Sequence, residues 1–327
     1  MVGIRNAFLF FIAVALLALF TNTNTASAAD DPAQKAVLIT GANSGIGRKI
    51  AERLASEGYF VYAGARKDAD IEALSAIPNM QGVRLDVTIQ ADIDAAVEFV
   101  EAGGRGLYGL VNNAGVVVMG LLTDTEESEL DFLFDVNVYG PYRMVRAFAP
   151  LLIDSKGRVI NISSMAGIMS PPAYGVYSMS KHAIEAFTDT LAFELGTVGV
   201  RVSAIEPGPF NSNAAASTCE RRYKQDFDPS KSLIPDLAAE LAALCTELAQ
   251  YPEPDPVADV ALRVLQADAP KPRYLAPSDP RQAGFVAQNI LRDLAYLSSG
   301  DSYQYSRDEL IAMLDEAMAD SAHAKDD

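Results

Sequence analysis

Short apolar runs alternate with longer amphipathic stretches along the chain from Lys35 onward. The runs have few polar positions on either face, which is typical of strands in a parallel sheet that is covered by helices on both sides. Strands are predicted at residues 36–40, 60–65, 82–87, 109–115, 158–163 and 200–208, with a shorter one at 273–277. The pattern therefore predicts a sheet of about seven strands.

The stretches between these runs repeat apolar residues at helical spacing. Helices are predicted at Ile46–Gly58, Ile89–Ala102, Glu126–Leu152, Tyr174–Gly196 and Pro256–Ala269. Regular alternation of strands and helices indicates an α/β fold of the Rossmann type, a doubly wound parallel sheet with right-handed crossovers. We expect residues 35–280 to form this domain.

The alternation stops after Pro207. Residues 209–255 are expected to form a lid over a substrate pocket, because long insertions at the carboxyl end of a strand often cover a ligand. Residues 281–327 are expected to add a C-terminal helical extension that ends in an acidic tail.

The first 29 residues have a different pattern. Arg5 precedes the apolar run Ala7–Phe20, which a polar stretch separates from the small residues Ala28 and Ala29. This order is typical of a secretory signal peptide. A retained anchor would also place the rest of the chain across the membrane. We expect export or membrane anchoring. A misassigned start, with a cytoplasmic protein, is the alternative.

The chain carries a net charge of −17. Such a surface repels phosphate backbones, so the sequence predicts no nucleic-acid partner.

Cys219 and Cys245 are the two cysteines, fewer than a disulfide framework normally uses, and we expect two free thiols. No metal site is predicted.

A glycine-rich turn joins the first predicted strand to the first helix. Its sequence, TGANSGIG at Thr40–Gly47, has the spacing G-x-x-x-G-x-G. Missing side chains let backbone N–H groups approach a pyrophosphate, which the helix N-terminus also attracts. Ordinary turn chemistry is the alternative. As a nucleotide-binding turn it would contact the cofactor through Gly41, Asn43, Ser44, Gly45, Ile46 and Gly47.

The end of the second strand bears on the choice of cofactor. An NAD site normally has an acid there for the ribose hydroxyls. This chain has Ala65, Arg66 and Lys67 instead. Because a guanidinium can clamp a 2′-phosphate, Arg66 favours NADP(H) over NAD(H). The alternative for Arg66 is a solvated loop cation.

Tyr177 is the one tyrosine of thirteen with a lysine four residues later, Lys181. Polar pairs at this spacing are common on helix surfaces. In a partly desolvated site, however, the lysine charge would favour phenolate and lower the pKa of Tyr177 from its ordinary value of about 10. We therefore expect Lys181 to make this phenol more acidic.

Taken together and in order, these motifs resemble the short-chain dehydrogenase/reductase family. The resemblance covers residues 35–280, and residues 144–211 look most like its retinol and 17β-hydroxysteroid dehydrogenase branch. The motifs that carry it are TGANSGIG (40–47), LDVT (85–88), NNAG (112–115), DVNVYG (135–140), INISSMAG (160–167), YSMSK (177–181) and EPGPFN (206–211).

The resemblance implies a role for each of four residues. Tyr177 would be the general acid in reduction and the base in oxidation, and Lys181 would also bind the nicotinamide ribose. Ser164 would polarise the substrate carbonyl. Asn137 would hold a helix irregularity and a water linked to Lys181. Further cofactor contacts are implied for Asp86, Val87, Asn112, Asn113, Ala114, Gly115, Pro207, Gly208 and Phe210.

The predicted function is an NADP(H)-dependent oxidoreductase that interconverts an alcohol and a carbonyl on an apolar substrate. The resemblance also suggests a homodimer or homotetramer packed through Glu126–Leu152 and Tyr174–Gly196. One alternative is a nucleotide-binding regulator without turnover. Another is a ketoacyl-carrier-protein reductase, although the acidic surface would repel an acidic carrier. For the single residues, the alternatives are a packing amide at Asn137 and turn residues at Ser163 and Ser164.

Overall fold

The computed structural model describes residues 34–212, 217, 228–243, 251–299 and 304–323. Within these ranges seven parallel strands form one sheet in the order β3-β2-β1-β4-β5-β6-β7. The strands are β1 (Ala36–Ile39), β2 (Phe60–Ala65), β3 (Met80–Arg84), β4 (Gly109–Asn112), β5 (Arg158–Ile162), β6 (Arg201–Pro207) and β7 (Arg273–Ala276). The predicted Rossmann-type fold is confirmed.

Helices cover both faces of this sheet. They are α1 (Gly45–Ser56), α2 (Asp68–Ser75), α3 (Gln90–Ala102), α4 (Glu127–Phe134), α5 (Gly140–Asp154), α6 (Gly175–Gly196), α7 (Pro235–Ala243), α8 (Asp255–Gln266), α9 (Pro280–Ser298) and α10 (Arg307–His323). Helices α1, α2 and α8 contribute to the core on one face, and α3, α5 and α6 to the core on the other.

Strand β1 shows why the predicted strands are apolar throughout. Val37 and Ile39 lie in one core cluster, while Ala36 and Leu38 lie in the other, and all four are fully buried. Successive side chains of a strand point to opposite faces, so a strand covered on both sides needs apolar residues at every position.

The predicted helix Glu126–Leu152 is instead divided into α4 and α5. Between them lies a π-helical turn, Asp135–Tyr139. Polar contacts hold this turn: Arg143 binds Asp135 at 2.7 Å, and Asn137 reaches back to the backbone of Val116. A π turn inside a helix often marks a functional position.

The third strand also differs from its prediction, because β3 ends at Arg84 rather than at residue 87. Beyond it, side chains take over the backbone hydrogen bonds. The N–H of Asp86 donates to Asp92, and Oδ1 of Asp86 accepts from the backbone and hydroxyl of Thr88. Asp86 and Val87 therefore lie in the loop at the carboxyl edge of the sheet.

The ends of the segment predicted as a lid, 209–255, lie side by side. Asn211 donates from its backbone to Pro252 at 2.8 Å and from its side chain to Glu253 at 2.8 Å. Within the segment, Ser232 donates to Asp124 at 2.5 Å. The two ends of this segment are therefore joined to each other, and Ser232 joins it to the loop before α4.

Several predictions concern residues outside the described ranges. The signal peptide or anchor at 1–29 lies outside them, as do Cys219 and Cys245. None of the helices in the described part of the chain has the length and apolar character needed to cross a bilayer.

A chain of buried polar side chains joins β4, β5 and α6. Asn112 donates to Asn161 at 2.8 Å, and Asn161 donates in turn to Thr188 at 2.9 Å. Thr188 then donates to the carbonyl of Ile184 at 2.7 Å. All three polar side chains are at least 96% buried, so Asn161 is the link that connects two strands and a helix beneath the carboxyl edge.

We expect Asn161→Ala to lower the free energy of unfolding by about 1 to 3 kcal/mol, because it leaves the buried side-chain amide of Asn112 without its acceptor and removes the donor to the Thr188 hydroxyl. Urea denaturation measures the change. The control is Gln288→Ala, at an exposed position of α9, with an expected change within about 0.5 kcal/mol. Equal effects of the two substitutions would contradict the role of Asn161.

Candidate active site

The turn from β1 into α1 depends on its three glycines. Gly41 and Gly45 have φ angles of 65° and 54°, in the left-handed region that favours glycine. Gly47 has another constraint. A Cβ there would overlap the side-chain amide of Asn113 and lie 2.5 Å from the carbonyl oxygen of Gly41. The spacing of the glycines thus follows from both backbone conformation and close packing.

Hydrogen bonds tie this turn to the end of β4. The Thr40 hydroxyl accepts from the backbone N–H groups of Asn113 and Ala114 at 3.0 and 2.9 Å. The side chain of Asn113 donates to the carbonyls of Thr40 and Gly41 at 2.8 and 3.1 Å. Sequence reasoning assigned no role to Thr40, and it gave Asn113 a cofactor contact, whereas the structure uses that side chain to support the turn.

The start of α1 suits an anion. Ser44 precedes the helix in an extended conformation, and its side chain makes no capping hydrogen bond. The first N–H groups of a helix have no partner within the helix, and they attract negative charge. Asn43 is exposed and donates to Asp70 of α2 at 3.2 Å, while Ile46 packs against the core. The backbone of the turn, rather than these side chains, is therefore suited to a pyrophosphate.

Arg66 lies just beyond β2, close to the loop after β3. Its side chain is 71% exposed, and its Nη1 lies 3.8 Å from Oδ2 of Asp86. A long contact between exposed charges contributes little stability. Arg66 can therefore leave Asp86 for a phosphate group at small cost.

Lys181 projects from α6 to the end of β5. It is 6% exposed, and its ammonium donates to the carbonyl of Ile162 at 2.8 Å. Burial lowers the pKa of Lys181 to about 8, while the charge of Glu185 acts in the opposite direction. The ammonium lies 5.6 Å from the centroid of the Tyr177 ring, so the two groups share one side of the helix.

Tyr177 is half-buried, and burial raises the pKa of its phenol to about 12. A hydrogen bond with Ser164 acts to lower that pKa, and neighbouring Tyr174 acts to raise it. The expectation that Lys181 would make the phenol more acidic is wrong for this state of the protein. Burial dominates, and the lysine directs its ammonium to a backbone carbonyl. The phenol is therefore protonated at neutral pH.

Asn137, in the π turn, is 98% buried and fully hydrogen-bonded to its surroundings. Its Oδ1 accepts from the N–H of Val116 at 2.8 Å, and its Nδ2 donates to the carbonyl of Val116 and to Ser180 at 2.9 and 3.1 Å. A Cβ on Gly115 would lie 3.5 Å from Asn137 Oδ1 and 3.9 Å from Lys181 Nζ. Asn137 thus fixes the chain after β4 next to the buried lysine.

Three other predicted contact residues have buried side chains. Phe210 is 4% exposed and belongs to the core on the α1 side. Val87 is 5% exposed and packs against Gly140, and Pro207 ends β6 in the interior. The backbone N–H of Gly208 donates to Ala276 at 2.9 Å. Any contact of these residues with a cofactor would therefore use the backbone.

An apolar wall extends from Tyr174 on the far side of Tyr177. The two rings meet edge to face with centroids 6.2 Å apart. The other members of the wall come from the loop after β4 and from α7, and they are Val117, Met119, Leu121, Leu237 and Leu241. A substrate that reaches the phenol from this side would meet apolar groups.

Comparisons with known proteins agree with this geometry. The family model described as short chain dehydrogenase matches residues 35–222. Mitochondrial D-beta-hydroxybutyrate dehydrogenase of Mus musculus is 37% identical over 229 residues, covering 67% of this chain and 66% of its own length. An NADPH-dependent 3-dehydrocapnine reductase of Ornithobacterium rhinotracheale is 35% identical over 265 residues, 78% of this chain and 91% of its own.

Solved structures show the same similarity. A short-chain dehydrogenase from Streptomyces avermitilis has a TM-score of 0.69 and 29% identity, covering 81% of this chain and 94% of its own. A short-chain dehydrogenase/reductase from Burkholderia phymatum in complex with NAD has a TM-score of 0.67 and 26% identity, covering 84% and 98%. With a family model that matches more than half of its residues, this chain belongs to the short-chain dehydrogenase family.

Proposed function

We propose that this protein is an NADP(H)-dependent oxidoreductase that interconverts an alcohol and a carbonyl on an apolar substrate. The observation that carries the proposal is the position of Tyr177, Ser164 and Lys181 at the same edge of the sheet as the turn Thr40–Gly47. A dinucleotide on that turn can reach the tyrosine, because ligands of open α/β sheets bind outside the carboxyl ends of the strands.

The residues of the turn fit a dinucleotide. A side chain at Gly41, Gly45 or Gly47 would strain or overlap the backbone that faces the pyrophosphate. The N–H groups at the start of α1 would hold the pyrophosphate, and Lys181 would hold the nicotinamide ribose. The bound nicotinamide supplies or accepts the hydride, and the protein binds, orients and manages the proton.

Tyr177 and Ser164 would act on the oxygen of the substrate. In reduction the Ser164 hydroxyl donates a hydrogen bond to the carbonyl oxygen, and the protonated phenol of Tyr177 transfers its proton to that oxygen as the carbon receives hydride. With a pKa of about 12, the phenol holds the proton until negative charge develops on the substrate. In oxidation, positive charge from Lys181 and from the oxidised nicotinamide would favour the phenolate.

The apolar wall supports an apolar substrate. Tyr174 contacts the ring of Tyr177, and Met119 and Leu241 belong to the same apolar cluster as Tyr174, so this side of the site offers little to a small charged acid. The name of the mouse relative nevertheless denotes a small hydroxy acid as substrate. A panel that contains 3-hydroxybutyrate, medium-chain alcohols and their carbonyls tests the proposal, since a preference for 3-hydroxybutyrate would contradict it.

The N-terminal pattern and the exposed helix surfaces support two further parts of the proposal. We propose that residues 1–29 direct export or anchoring, on their sequence alone. We also propose self-association through the π turn with α5 and through α6, where Tyr139, Tyr142 and Phe193 are 53%, 46% and 80% exposed.

We expect Tyr177→Phe to lower kcat for carbonyl reduction with NADPH by about 10² to 10⁴-fold, the usual contribution of a positioned acid. NADPH binding is expected to persist, because the ring and Lys181 remain. Steady-state kinetics and fluorescence titration measure the two effects. Tyr142→Phe, which removes an exposed phenol from α5, is the matched control. Equal turnover of Tyr177→Phe and wild type would refute the proton role. NADPH binding by a wild type that turns over no substrate would favour a regulator.

We expect Arg66→Ala to raise KM for NADPH by about 10 to 100-fold, because a charged hydrogen bond to the 2′-phosphate is lost. KM for NADH should change much less, since NADH lacks that phosphate. Arg201→Ala, at an exposed position on the opposite, amino edge of the sheet, is the control. An equal change of KM for both cofactors would contradict the assignment of Arg66.

A further inference from the structure

Three carboxylates meet one guanidinium beside the active-site helix. Arg273 of β7 approaches Glu185 at 3.0 Å, Asp189 at 2.7 Å and Glu206 at 3.6 Å. Fully ionised, the cluster would carry three negative charges and one positive charge. Since Glu185 and Asp189 make the two shorter ion pairs, Glu206 is the carboxyl that Arg273 compensates least.

The excess charge would lie in the interior. Glu206 is 3% exposed and Glu185 is 8% exposed, whereas the side chain of Asp189 is 54% exposed and can be solvated. A buried carboxylate without a full counter-charge is costly, and such a group tends to keep its proton instead.

Hydrogen bonding in the cluster is also incomplete. Among the residues that the structure describes, Oε1 of Glu206, Oε1 of Glu185 and Oγ of Ser163 are buried without a hydrogen-bond partner. The serine hydroxyl can donate only one hydrogen bond. A proton on Glu206 would supply a second donor where two ionised carboxylates supply none.

The three residues are neighbours in the structure. The backbone N–H of Ser163 donates to Ile205 at 2.8 Å, which places Ser163 next to Glu206 across the β5–β6 pair. A Cβ on Gly167 would lie 2.7 Å from Oγ of Ser163 and 3.1 Å from Oε1 of Glu185. One glycine of the turn after Ser164 therefore lies against both groups.

We propose that Glu206 keeps its proton at pH values at which an exposed carboxyl is already ionised, and that the protonated carboxyl joins Glu185 and Ser163 into one hydrogen-bonded unit that positions Ser164 and Lys181. Ser163 immediately precedes Ser164, and Glu185 follows Lys181 by one helical turn. Glu206 is a positioning residue, and its effect on turnover rests on the proposed function.

The electrostatics of the cluster support the proposal. Burial, the largest cause, and the charges of Glu185 and Asp189 raise the pKa of Glu206, Arg273 acts to lower it, and the net result is a pKa of about 7. The charged groups around Glu206 thus come from α6, which also carries Lys181, and from β7. The turn Met165–Gly167 contributes no ionisable side chain.

Because the pKa of Glu206 is raised in the folded protein, this group makes the protein less stable as the pH rises. Between the ordinary value of 4.5 and about 7, the folded protein binds more protons at Glu206 than the unfolded chain does. The contribution of Glu206 to the free energy of unfolding is therefore intact below this window and is lost as the pH rises through it. Above it, a charged Glu206 repels Glu185 beneath the site.

The first test measures protonation without any assay of turnover. We expect the decline in wild-type stability from pH 4.5 to pH 8 to be smaller in Glu206→Gln, because glutamine keeps the shape and a donor but cannot ionise. We also expect an infrared band of a protonated carboxyl at pH 6 that is absent from this variant. Glu194→Gln, at an exposed position near the C-terminal end of α6 and outside the cluster, is the control and should keep the band. Identical stability profiles for wild type and Glu206→Gln, or no such band, would overturn the proposal.

A second variant covers the case in which Glu206→Gln does not fold. Glu185→Gln removes a neighbouring negative charge, so the loss of stability should move to lower pH. If the pH dependence of stability is the same in Glu185→Gln and wild type, Glu185 and Glu206 do not form one electrostatic unit.

The second test measures positioning. From pH 6 to pH 8 the protonated fraction of a group with a pKa of about 7 falls about tenfold, so wild-type kcat should fall up to about tenfold more than that of Glu206→Gln. Parallel kcat profiles would overturn the positioning role even if Glu206 is protonated. Absence of turnover in the wild type would refute the proposed function, while the stability and infrared results would still decide the protonation of Glu206.

Discussion

Parallel pairing of β1, β4, β5 and β6 is the constraint on which the candidate site depends. Ile39 pairs with Val111, Asn112 with Asn161, and Ile162 with Ile205, so these strands all end at one edge of the sheet. The residues that follow each strand therefore meet there although they are far apart in sequence. The glycine-rich turn follows β1, the backbone that Asn137 holds follows β4, and Ser164 follows β5.

Polar contacts then fix the positions of the groups at this edge. Thr40 and Asn113 tie the turn to β4, Asn137 holds the chain at Val116, and Lys181 binds the last carbonyl of β5. Burying an ammonium group costs free energy, and the hydrogen bond to this carbonyl offsets part of that cost. The ammonium stays at this edge of the sheet because its hydrogen bond to Ile162 inside the protein replaces one to water. The same burial keeps the proton on Tyr177.

Local patterns in the sequence predicted most of the fold and many of the site positions. Continuous apolar runs identified the buried strands, and the glycines marked a turn that the φ angles of Gly41 and Gly45 require. The π turn could be anticipated only from the family resemblance, since its cause is the contact of Asn137 with the distant residue Val116. The acidity of Tyr177 was predicted with the wrong sign, because burial depends on the packing of α6 against the loop after β4.

The carboxylate cluster could not be found from local pattern at all. Its members come from α6, β6 and β7, and β7 pairs with β6 only after the long excursion at 209–255. One signal was present: Glu206 is an acid in an otherwise apolar strand, where burial on both faces is expected. A buried acid in such a strand needs either a counter-charge or a proton, and the structure offers only part of a counter-charge.

The central claim is that a dinucleotide and the Tyr177 phenol meet at this edge of the sheet. A crystal structure of the protein with NADP⁺ tests it most directly. The account predicts the pyrophosphate against the backbone of Gly41–Gly47, the ribose at Lys181 and the nicotinamide beside the Tyr177 hydroxyl. A cofactor bound elsewhere, or a nicotinamide directed away from Tyr177, would contradict it.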